Sequence, residues 1–394
     1  DSSLKKTVGV FNIEQHYYFS DRAFDTEPSA VSFAKARKEI AKVCMESGVK
    51  PGEYHGKEAN TTIRNMQHSA VQVFEKYISG LDKLDLHSQA SNYYAVQQNG
   101  VILNLKRYFA FSDLDEDIQQ EVEQNTREIS EKYRRNMETA MYLLESNLVV
   151  THLQEAKKSS NEDFEFLVAF ADWLVVLQNA ADTCHHTDFD LAISVDFEYK
   201  VNTILNEASY AQVDKMLLRK YRTRDYHAKG DKADMEYFKK AVDTFKRDTG
   251  IELSLLVSLI KYMQLGIVQD RVATEIYPNV FEVEQSVLEQ KFNENLEDKI
   301  VKPSIITALV NFLTLNPSLL KTENGRLHDI LPIWEREKRD NRFNTKPIVM
   351  FDGKCIFSPV VMNSVLASWQ NGIPEWYLPY EIGLPTLTFV LRQW

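Results

Sequence analysis

Cysteine, glycine and proline are all scarce in this sequence, and each shortage closes off a class of protein. The three cysteines, Cys44, Cys184 and Cys355, are odd in number and far apart. They build neither a disulfide framework nor a Cys-x-x-Cys zinc pair, and a reducing cytoplasm is the natural setting. With 13 glycines and 11 prolines in 394 residues, collagen-like, disordered and loop-rich all-β classes are disfavoured. Long apolar runs are missing too. The most apolar window, Phe164–Leu177, is about 14 residues long, contains Asp172, and reads as a buried helix rather than a membrane span. No N-terminal signal peptide is visible. Signature motifs are absent as well. There is no Gly-x-x-x-x-Gly-Lys-Ser/Thr, Gly-x-Gly-x-x-Gly, Gly-x-Ser-x-Gly or His-Glu-x-x-His, which removes the common nucleotide-binding, hydrolase and zincin signatures.

What is present is enough apolar material for a large core. Hydrophobic residues make up 44% of the chain, and its net charge of -11 argues against a surface built over most of its area for nucleic acid. The pattern predicts a mainly α protein, a multi-helix array with a small β element near 191–201 and a β-hairpin near 347–357. Three regions are expected: an N-terminal helical region over 1–185, a strand plus helices over 186–340, and a hairpin with helices over 341–394. The chain begins at Asp1 and stops at "TLTFVLRQW", inside an apolar pattern. This reads as part of a longer protein whose remainder carries the chemistry.

Helices are legible along most of the chain. Val31, Phe33, Ala34, Ile40, Val43 and Cys44 fall near one helical face, between Pro28 and Gly48. A second helix is expected over Ala59–Ile78. The segment "GVILNLKRYFAF" is compatible with helix or extended chain. A long helix opens after Ser112 or Asp113 as cap, with the stripe Ile118, Val122, Ile129, Tyr133, Met137, Met141, Leu144 and Leu148. That stripe reads as core, with a partner-binding coiled coil as the alternative. Two helices are broken at Thr249-Gly250, and others are expected near Val283–Leu296 and Pro303–Leu315. In "KPIVMFDGKCIFSP", Asp352-Gly353 between apolar runs predicts a two-residue type I′ hairpin, because both central residues need positive φ. Ser358 is the expected cap of a following helix, with Pro359 in its first turn.

The stretch "DFDLAISVDFEYKV" raises the sharpest chemical question. Glu198-Tyr199-Lys200 has the Glu-x-Lys spacing of metal-dependent nuclease cores. Leu191 to Asn202 also alternates without a break, which predicts one half-buried strand with Glu198 and Lys200 on its wet face. A nuclease would need Mg2+ held by Glu198 together with a second carboxylate. Asp190 is the first candidate, yet a straight strand sets it about 26 Å from Glu198. Asp196, nearer, would be an unusual donor.

Other clusters have plain explanations beside chemical ones. "CHHTDFD", with Cys184, His185, His186, Asp188 and Asp190, reads as a helix-end turn, with a metal site as the alternative. Arg219, Lys220, Arg222, Arg224, His227, Lys229 and Lys232, interleaved with Tyr221 and Tyr226, form either a solvated connector or a nucleic-acid-binding module whose binding weakens steeply with salt. "WEREKRDNR", Trp334 to Arg342, nearly balances its own charge.

From Val195 onward the element order is familiar: the strand "ISVDFEYKV", a basic connector, the helix pair "MEYFKKAVDTFKRDTGIELSLLVSLIKYMQL", "ALVNFLTLNP", and the hairpin with its following helix. This C-terminal half resembles the helical region ahead of a restriction-endonuclease-like domain in large bacterial proteins, some linked to phage defence. The resemblance supplies no catalytic residue. It implies that a nuclease would follow Trp394 and that this chain is the non-catalytic part. The expectation is an intracellular scaffold, sensor or regulatory region, without a cofactor, partnered by a protein or an attached catalytic domain and not by a membrane. The alternatives are a nuclease using Glu198 and Lys200, and a nucleic-acid-binding module at 219–232.

Overall fold

Helical punctuation and hydrophobic spacing place the elements where the side chains can be buried. The computed structural model describes residues 28–110, 116–186, 192–203, 231–264, 280–296, 301–320, 342–359, 361–362, 364–366, 368 and 369. The protein is mainly α with two small antiparallel sheets. Its first helices are α1 (Ala30–Glu46), α2 (Gly56–Ser79), α3 (Lys83–Ala110), α4 (Glu116–Val149) and α5 (Asn161–His186), with β1 (Gly52–His55) between α1 and α2. The segment 100–110, ambiguous by pattern, is helical and continues α3. The strands β2 (Ala192–Val195) and β3 (Val201–Thr203) come next, then α6 (Asp231–Thr249) and α7 (Leu253–Gln264). The order closes with β4 (Phe281–Glu284), α8 (Gln285–Glu294), α9 (Pro303–Leu313), α10 (Arg342–Thr345), β5 (Val349–Phe351) and β6 (Lys354–Phe357).

Local chemistry starts and stops these helices. Ser29 caps α1 by accepting from the Ser32 amide at 3.3 Å. Asp82 caps α3 through the Asp85 amide at 2.8 Å. Ser160 and Asp163 form a reciprocal capping box on α5 at 3.1 and 3.3 Å. Gly250, at φ +72, ends α6 as the sequence predicts. The expected caps Ser112 and Asp113 lie outside the described residues.

One core is built on the aromatic rings of α2, α4 and α5. Phe74 stacks on Phe170 at 5.5 Å and meets Tyr142 at 5.9 Å. A second nucleus gathers Phe245 of α6, Phe312 of α9 and Trp369, whose ring centroids lie 5.3 to 5.9 Å apart.

Two sequence-based stripes are corrected. In α1 the buried positions are Ser32, Ala36, Ile40, Val43 and Cys44, while Val31 and Phe33 are exposed. The first turn also meets α5, where the Ser29 amide donates to Glu165 Oε2 at 3.1 Å, and the buried face runs through Ser32, Ala36, Ile40 and Val43, which leaves Val31 and Phe33 off it. In α4, Leu144 and Leu148 are buried, Tyr133, Met137 and Met141 are half-buried, and Ile129 is exposed, so the stripe sinks toward the helix C-terminus.

The sheets tie distant segments together. Strand order in the first is β1-β2-β3, with Gly52 opposite Val195 and Val195 opposite Val201. In the second the order is β4-β6-β5. The β5–β6 hairpin turns on Asp352 (φ 49) and Gly353 (φ 80), the type I′ geometry that Asp-Gly predicts. The expected helix start at Val283 is instead strand β4, which pairs with β6 through Val283 and Cys355, and helix α8 opens only at Gln285. Ser358 does not cap the following helical turn. Its hydroxyl is buried with no hydrogen-bond partner among the described residues.

Candidate functional site

The single strand expected over 191–202 is two strands with a tight turn between them. The Asp196 amide donates to Lys200 O at 3.1 Å and the Tyr199 amide to Asp196 O at 3.0 Å, closing a three-residue loop. Tyr199 sits at φ 58, where a residue with a side chain is strained. No Gly, Pro or Asn makes this bend. Three side chains hold it instead. Asp196 Oδ1 accepts from the Glu198 and Lys200 amides, both at 2.8 Å. Trp173 Nε1, on α5, donates to Tyr199 O at 2.8 Å. Arg37 Nη1, on α1, donates to Glu198 O at 3.0 Å. The buried Tyr199 ring adds apolar contact that offsets the backbone strain.

The bend puts Glu198 and Lys200 together at an exposed tip. Lys200 Nζ is 2.9 Å and Arg37 Nη2 is 3.3 Å from Glu198 Oε2. The hydrogen bond from Lys200, its charge, and then that of Arg37 hold the Glu198 carboxyl below the usual carboxylate range. Beside them Phe197 is 91% exposed, and the Arg37 guanidinium lies 5.0 Å from the centre of the exposed Phe33 ring. The tip is therefore a carboxylate between two cations, flanked by two uncovered aromatic rings.

Of the carboxylates considered as metal ligands, Asp196 is committed to the turn amides and Glu198 to cations, while Asp190 lies outside the described residues. Among the described residues no group of three or more His, Cys, Asp or Glu side chains is placed to hold a metal ion. In "CHHTDFD" the backbone is helical through His186, and the residues after it lie outside the description, as do Arg219, Lys220, Arg222, Arg224 and Lys229. Cys44 and Cys355 are buried free thiols, and burial pushes their pKa values up to about 12 and about 11. Among the described residues no helix is long and apolar enough to cross a membrane.

Sequence reasoning missed Arg37, Trp173 and Phe197. Arg37 and Trp173 act across the fold on residues far away in the chain, so no local pattern marks them. The alternation of its neighbours points Phe197 to the buried face of a straight strand, whereas the turn leaves it 91% exposed. The fold defines the class, a mainly α protein carrying two small antiparallel sheets. Comparison with protein-family models, curated proteins and solved structures returns no significant match.

Proposed function

We propose that this chain is a non-catalytic scaffold, sensor or regulatory region of a larger protein, and that it works through protein contact or through control of an attached activity. The observation that supports this reading is the state of the hairpin tip. Glu198 is neutralised by Lys200 and Arg37, and Phe197 stands 91% exposed beside it. A metal-dependent nuclease needs its carboxylate free to share a cation with a second one. A protein contact uses what the tip offers, namely an exposed aromatic anchor next to a rigidly held arginine. The resemblance of the C-terminal half adds a setting, a nuclease attached downstream and a role in phage defence.

Purified chain incubated with Mg2+ and single- or double-stranded nucleic acid tests the reading. No cleavage is expected, and calorimetry should show no Mg2+ binding. Cleavage that disappears in Glu198→Ala would replace the scaffold reading with the nuclease.

A further inference from the structure

Helix α3 carries a polar stripe that the fold withholds from water. His87, Ser91, Tyr94 and Gln98 follow one another at spacings of four, three and four residues, which places them on one helical face. His87 and Ser91 have 0% exposure and Tyr94 has 2%. This face meets the C-terminal part of the chain. The His87 ring centre lies 5.8 Å from that of Phe343 on α10 and 5.5 Å from that of Phe351 on β5. Tyr94 shares a 2.5 Å hydrogen bond with Ser364. One turn before His87, the Lys83 ammonium lies 4.8 Å from the centre of the Phe351 ring.

Neither ring nitrogen of His87 has a hydrogen-bond partner among the described residues. The same holds for Ser91 Oγ, Gln98 Oε1 and, at the root of the C-terminal hairpin, Ser358 Oγ. A buried polar group without a partner opposes the contact that buries it, and water relieves it when the contact opens.

We propose that this seam is an acid-released latch: the hairpin β5–β6 and the described residues through Trp369 close on the α3 face while His87 is neutral and lift from it when His87 takes up a proton, β6 parting from β4 and Trp369 from Phe245 and Phe312 in the same motion. A protonated ring in the closed seam would be a desolvated cation with no acceptor and with the Lys83 ammonium nearby. Burial first, and Lys83 second, hold the His87 pKa down to about 3. Among the described residues, Lys83 and Asp352 are the charged groups that bear on this pocket, Asp352 acting on Lys83, while α10 and β5 present the Phe343 and Phe351 rings to His87. In the open form the ring returns to about 6.5. The closed-state value is the lower one, so the contribution of His87 to closure is whole above about pH 6.5 and declines as pH falls toward about 3, by about tenfold in the opening constant per pH unit. The latch works the same way whatever the chain contacts.

Hydrogen exchange on the full chain between pH 7 and pH 4.5, normalised to intrinsic amide rates, tests it. Opening constants for the amides of Val349–Phe357 should rise about tenfold per pH unit below about pH 6.5, while those of the α2 and α5 core stay level. His87→Leu should slow hairpin opening at pH 7 and abolish the pH slope. Hairpin amides that exchange only together with the core at every pH, or a slope that survives in His87→Leu, would overturn the latch. If the leucine variant does not fold, nuclear magnetic resonance titration of His87 in the wild type decides. The ring should stay neutral below pH 6 wherever the hairpin is protected, and protonation near pH 6.5 with the hairpin still protected would overturn the proposal.

Discussion

Replacing Asp196 by alanine tests whether a carboxylate makes the β2–β3 turn. Asp196 Oδ1 receives two amides at 2.8 Å, from Glu198 and Lys200, at the surface of the protein. The arrangement is equivalent to a helix N-cap, where loss of the acceptor costs about 0.5–2 kcal/mol. Two charge-assisted bonds argue for the upper half of that range, and water reaching the freed amides argues against exceeding it. The expected cost is about 1–2 kcal/mol, which raises the local opening constant of the turn about 5- to 30-fold. Native-state hydrogen exchange of the β2–β3 ladder amides reads this directly. Asp196→Asn keeps an acceptor oxygen in place and should raise opening less than about fivefold. An alanine effect below about twofold, or an asparagine effect equal to it, would refute the capping account.

Two further outcomes follow from the same geometry. Gly353→Ala places a Cβ in open space, with nothing within 4 Å, but at φ +80, so the cost is confined to the backbone. Chemical denaturation should register a loss of about 1 kcal/mol or slightly more. Cys44 and Cys355 stay protonated at pH 8, because burial raises their pKa values to about 12 and about 11. Peptide mapping after iodoacetamide treatment should find both unmodified in the native protein and both alkylated in denaturant.

The two hairpins show why one turn was legible in the sequence and the other was not. In β5–β6 the partners are Phe351 with Lys354 and Met350 with Cys355, an odd-numbered residue always facing an even-numbered one. Alternation therefore breaks at the turn, and Asp-Gly marks the break. In β2–β3 the partners are Ile193 with Thr203, Ser194 with Asn202 and Val195 with Val201, each pair sharing parity. Residues directly opposite one another share a sheet face, so the period of two runs through the bend as if the chain were straight. The turn is specified by Asp196 locally and by Trp173 and Arg37 from other helices, and only the first is a local signal. The candidate site was half legible for the same reason. Glu198 and Lys200 stood out by spacing, whereas the arginine that neutralises Glu198 did not. Helices α2, α6 and α9 were readable because their apolar spacing agreed with the punctuation, Gly80 and Gly250 following the first two and Pro303 opening the third. The buried face of α3 escaped notice because its residues are polar, and burial there comes from what packs against it.

The pairing of Gly52 with Val195 sets an order on the ribosome. Strand β1 leaves the exit tunnel long before its partner, so its edge waits bare while four helices are synthesised, and the first sheet closes only after the β2 residues emerge. A slow stretch of translation before Ala192 would lengthen that wait.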